Sequence, residues 1–154
     1  MRSRSSFILS RSLAAGAWGA AAIFAAAVFA AAKTAMIVLP IEDAKFMPVD
    51  ASRPQMAQHA VLRGDPATGP SSTLLRFGRA PATMHVHSAD YDLVLLKGTM
   101  KHWAAGQSEA DARLLQPGSY WFQPANEPHA GVCLSDECLM YVQWSGKRDA
   151  RLAQ

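Results

Sequence analysis

The sequence predicts an all-β domain, a small antiparallel sandwich or barrel. After residue 32, short apolar or alternating runs are separated by Gly, Pro, Asn or Asp every few residues, and no segment carries a long helical repeat. Two histidines, His85 and His87, stand one residue apart inside one of those runs. Side chains on a strand alternate faces with a period of two, so this pair shares one side of a sheet.

The elements follow in order. Residues 1–32 carry Arg2, Arg4 and Arg11 and then an apolar run from Leu13 to Ala32, with Ala30-Ala31-Ala32 before Lys33. This is the layout of a secretory signal peptide, and the small-residue site favours cleavage. The run is also long enough to span a bilayer, so an uncleaved N-terminal membrane anchor helix is the alternative. In both cases the remaining domain is expected to be periplasmic or extracellular. Residues 33–57, with Pro40, Pro48 and Pro54, read as an extended lead-in holding one edge strand over 45–49. Strands are then expected over 58–63, 72–77, 83–87, 91–96, 99–103, 112–115, 119–123, 129–133 and 138–144, with one helical turn over 108–112. Together 58–146 form the barrel, and 147–154 read as a loose charged tail.

The chain has 154 residues, 15 of them Lys or Arg and 12 Asp or Glu, for a formal charge of +3. The three arginines before residue 13 are the whole excess, so the domain that follows is neutral. It has no basic stripe, which argues against a nucleic-acid partner. Both cysteines, Cys133 and Cys138, fall in the exported part. In an oxidising compartment such a pair forms a disulfide whose small loop contributes about 2 kcal/mol. A redox or metal pair is the alternative, although the spacing is not the two-residue gap of those motifs.

His85 and His87 on one face can hold one metal ion. A third histidine closes the segment Gly118-Ser-Tyr-Trp-Phe-Gln-Pro124-Ala-Asn-Glu-Pro-His129, in which glycine opens a strand, proline ends it and His129 begins the returning strand. This segment resembles the second signature of the cupin superfamily, matching at Gly118, Pro124 and His129. The first signature, a glycine, a spacer, His-x-His, a glutamate and a glycine, is matched by Gly78, His85, His87 and Gly98. The resemblance implies a jelly-roll double-stranded β-helix in which His85, His87 and His129 converge on one divalent transition metal. Three imidazoles suit zinc, iron, manganese, nickel or copper.

The departures from the signature are as informative as the matches. Tyr91 stands where the family has its glutamate ligand, with Asp92 as a second candidate. Strand alternation puts Tyr91 inside with Leu93 and Leu95 and leaves Asp92 outside. Tyr91 could bind the metal as a phenolate, hydrogen-bond a water on it, or pack; as a catalytic group it would orient a substrate or donate a proton. Asn126 replaces the usual glycine of the second signature, and Cys133 stands where the family often has asparagine. His-Ser-Ala-Asp-Tyr after the first motif, Gly64 to Pro70, and Pro117 to Pro124 resemble an uncharacterised group of bacterial single-domain cupins classed as a domain of unknown function. They are more distantly similar to the cupin half of the zinc-binding anti-sigma factor ChrR.

His102, Trp103, Tyr120, Trp121, Phe122, Tyr141 and Trp144 are candidates for the pocket wall, with Gln123 and Gln143 as polar groups in it, although alternating aromatics are more often core. Met84 and Met140 read as core fillers, and His59 as structural. The resemblance implies an exported metal-binding cupin, a metal-dependent oxygenase or isomerase acting on a small molecule. The alternative is a non-catalytic module that binds or senses a metal or small ligand, and a third reading is a barrel with no working site. The expected partners are a small molecule and a second copy in a homodimer, with a membrane only through an uncleaved N-terminal segment.

Overall fold

The computed structural model describes residues 35–153. The expected signal or anchor over 1–32 lies outside them. One 3-10 turn, Ile41–Asp43, is followed by eleven strands: β1 Met47–Pro48, β2 Ala57–Gly64, β3 Ser71–Phe77, β4 His85–Val86, β5 Tyr91–Lys97, β6 Met100–Ala104, β7 Leu114–Leu115, β8 Tyr120–Gln123, β9 His129–Cys133, β10 Cys138–Trp144 and β11 Arg151–Leu152. They form two antiparallel sheets, ordered β1-β2-β3-β10-β5-β8 and β11-β4-β9-β6-β7. The all-β expectation holds for the described residues, and the two facing sheets are those of a jelly roll.

The alternation of β5 and β10 sets the interior. Tyr91, Leu93 and Leu95 are buried while Asp92 and Leu96 are exposed, and Cys138, Met140, Val142 and Trp144 are all buried. The register places Trp144 opposite Tyr91, Val142 opposite Leu93 and Met140 opposite Leu95. On the other sheet Ala104 faces His129, His102 faces Gly131 and Met100 faces Cys133. Both sheets thus run from an apolar end, where Leu95, Met100 and Met140 are almost fully buried, to an end rich in histidine and indole. Burying each of these large side chains contributes about 1.5–3 kcal/mol. At the apolar end the Cys133–Cys138 disulfide ties β9 of one sheet to β10 of the other.

Gly98 and Gly118 of the two motifs have φ of +87° and +91°, a region that costs other residues strain. At Gly98 a Cβ would also lie 2.5 Å from the Glu137 carbonyl oxygen. Asn126, standing where the signature has glycine, takes φ of 61°, which asparagine tolerates better than most residues.

Two expectations need correction. Residues 147–153 are no loose tail: β11 pairs with β4, and the Arg148 and Ala153 amides donate to the Pro66 and Met84 carbonyls. Two of their charges are engaged, Asp149 accepting from the Ser88 amide and hydroxyl at 2.8 and 2.7 Å, and Arg151 donating to Asn126 Oδ1 at 2.8 Å. The strand expected over 83–87 is only His85–Val86, with His87 just beyond it.

Candidate metal centre

His85 and His129 are direct cross-strand partners on β4 and β9, and such pairs bring Cβ atoms to about 5 Å. His87, one step past β4, swings in beside them, its ring 4.9 Å from His85 and 5.1 Å from His129. One potential ligand atom from each of the three lies within 4.8 Å of the others.

Each ring is oriented by a backbone carbonyl. His85 Nδ1 meets Thr83 O at 2.8 Å, His129 Nδ1 meets Glu127 O at 2.8 Å, and His87 Nδ1 meets Asp149 O. A carbonyl can only accept, so every Nδ1 carries a proton, and in the neutral ring this leaves the lone pair on Nε2. A carbonyl holding the second ring nitrogen is the arrangement that orients metal-ligating histidines. Burial pushes His87 and His129 down to about 4, against the partial support of their carbonyl bonds, so both are neutral imidazoles near neutral pH. The donor set therefore fits a first-row divalent ion.

Tyr91 lies on the inner face of β5, its ring 5.4 Å from His87. Its hydroxyl donates to His129 Nε2 at 3.4 Å and accepts from Trp121 Nε1 at 3.5 Å. Burial pushes the phenol up to about 12, outweighing the opposing Trp121 bond. Asp92 points outward and accepts from the Tyr120 hydroxyl at 2.5 Å.

His102 stacks on Trp121 at 4.7 Å. Gln123 donates through its amide to the Pro124 and Glu127 carbonyls, so its Oε1 accepts from His102 Nε2 at 3.1 Å. Gln123 thus links His102 to the same Glu127 carbonyl that orients His129.

The histidines open into a cavity of about 230 Å³ between the sheets, walled by Leu75, Phe77, Leu93, Trp121, Met140, Val142 and Trp144 among others. Of the pocket-wall candidates, His102, Trp121 and Trp144 line it. Tyr120 and Phe122 are exposed, and Trp103 is buried beside Ala130, outside the cavity wall. Gln143 bonds to Ser72 and Tyr141 instead, with Ser72 Oγ at 2.7 Å. Sequence reasoning missed Arg148 and Asp149, which both line the cavity. Their only sequence signal is that two charges follow closely on the last apolar strand.

No curated protein matches the chain. Among solved structures, the polyketide cyclase RemF from Streptomyces resistomycificus aligns with TM-score 0.60 at 19% identity, over 78% of this chain and 87% of that one. An RmlC-like cupin from Shewanella frigidimarina aligns with TM-score 0.57 at 15% identity, over 75% and 95%. A structure of the DMSP lyases RdDddP and RnDddQII aligns with TM-score 0.53 at 24% identity over 64% of this chain, and the match spans only 53% of the lyase chain. At such identities the likeness is one of fold, and the fold is that of the cupins. A family description, the domain of unknown function DUF4437, matches residues 61–147. That stretch takes in both histidine-bearing motifs and more than half of the sequence, and on it the chain belongs to the DUF4437 family.

Proposed function

We propose that this chain is an exported cupin that holds one divalent transition metal through Nε2 of His85, His87 and His129 and presents it to a small molecule in the adjoining cavity. The observation carrying this reading is the common commitment of all three Nδ1 hydrogens to backbone carbonyls, which leaves three convergent lone pairs. Export is supported by the disulfide, a bond typical of oxidising compartments.

Bound there, a dication would supply Lewis acidity, or redox chemistry if the metal is iron or copper. The protein's own groups do the rest. The apolar walls exclude water. Tyr91, protonated and beside His129, is placed to donate a hydrogen bond or a proton to a ligand at the histidine end. Gln123 and Trp121 fix the neighbouring rings.

Metal analysis of protein purified without a polyhistidine tag tests the reading. One equivalent is expected, lost in the His85→Ala/His129→Ala double variant. Substoichiometric metal in both proteins would refute it. Oxygen uptake or turnover with an iron-loaded protein would favour an oxygenase, and tight zinc without turnover a binding or sensing module.

A further inference from the structure

Arg148 is a permanent cation in the wall of an otherwise largely apolar cavity. Among the described residues no carboxylate lies within 4.0 Å of its guanidinium, and its side chain makes no hydrogen bond. The one acid beside it, Asp149, has both oxygens committed to Ser88. Arg148 is also fixed in place, its amide held by the Pro66 carbonyl at 2.8 Å and the next residue's carbonyl held by His87.

The strands beside Trp144 carry further polar atoms without partners. Ser71 is registered opposite Trp144, and Thr73 opposite Val142. Ser71 Oγ, Thr73 Oγ1 and Trp144 Nε1 are buried without a protein hydrogen-bond partner, and so is Nδ1 of His59 on the next strand. Trp144 is only 3% exposed and lines the cavity. Unsatisfied buried polar atoms are costly and few in folded proteins. Of the four residues only Trp144 lines the cavity, as Arg148 does, and its indole nitrogen can only donate. Donors of that kind want an anionic acceptor, and a planar fork suits a carboxylate.

We infer that the ligand of this cavity is a small monocarboxylic acid with an apolar body, its carboxylate taken by Arg148 and its body by the Phe77, Leu93, Trp121 and Val142 walls. At about 230 Å³ the cavity is smaller than the roughly 300–1,000 Å³ of pockets for drug-sized molecules, which limits the body to one ring or a short chain. The inference deepens the proposed function and rests on it only for the metal beside the acid.

Calorimetric titration of the full-length chain, zinc-loaded and metal-free, with benzoate, phenylacetate, 3-phenylpropionate and their uncharged amides tests it. At least one acid should bind at least about tenfold more tightly than its amide in both forms, and Arg148→Gln should remove that preference. Arg148→Met serves if the glutamine variant fails to fold. Equal binding of acid and amide, no binding by any acid, or a preference that survives both variants would overturn it. The zinc stoichiometry measured alongside reports separately on the metal site: one equivalent without an acid preference defeats this inference alone, and an acid preference without zinc defeats only the metal reading.

Discussion

At Tyr91 the chain places a phenol where the cupin signature has a carboxylate, and the change alters charge as much as shape. A buried phenol held up to about 12 contributes no negative charge near neutral pH, so an ion held by three neutral imidazoles keeps its full charge for an anionic ligand. Tyr91→Phe is therefore expected to retain near one equivalent of zinc, measured by metal analysis; loss of the ion would make the phenol a ligand. The three histidines were legible because period-two alternation and a cross-strand turn are local signals. Arg148 and Asp149 were not, since a charged pair after the last long strand reads as solvated. Long-range contacts bring them to the site: the bond from His87 to Asp149 across a sequence separation of 62, the bonds from Ser88 to the Asp149 carboxylate, and the pairing of β11 with β4.

Among the elements, β11 does the most for its two residues. It pairs with β4, the strand of His85, while the residues leading into it supply the carbonyl that orients His87. Groups of this kind are worth about 10–100-fold in metal affinity. Removing residues 147–154 should weaken zinc binding by about that factor, read by competition with a chelator, whereas unchanged affinity would reduce the segment to packing. Strand boundaries were legible where a strand has long partners: β5 and β10 fall within a residue of expectation. The strands expected over 83–87 and 112–115 shrink to His85–Val86 and Leu114–Leu115. Their lengths are set by the short stretches of chain available to pair with them, which no local pattern records.

On the scale of the whole domain the two ends divide their tasks. The disulfide joins the sheets at the apolar end, and the histidines gather at the other. Replacing both cysteines by alanine is expected to lower stability by about 2 kcal/mol, seen as a lower midpoint of chemical denaturation with an unchanged slope, and to leave zinc affinity in the folded protein intact. A large loss of affinity would instead couple the two ends.

The bond between His87 and Asp149 also orders events in time. During synthesis His85 and His87 emerge first, His129 follows, and the carbonyl that turns His87 arrives later still. A nascent or unfolded chain therefore has the three imidazoles without the geometry that joins them. On the proposed metal reading, capture becomes tight only as folding finishes, so the ion would be chosen by the metals present where the chain folds.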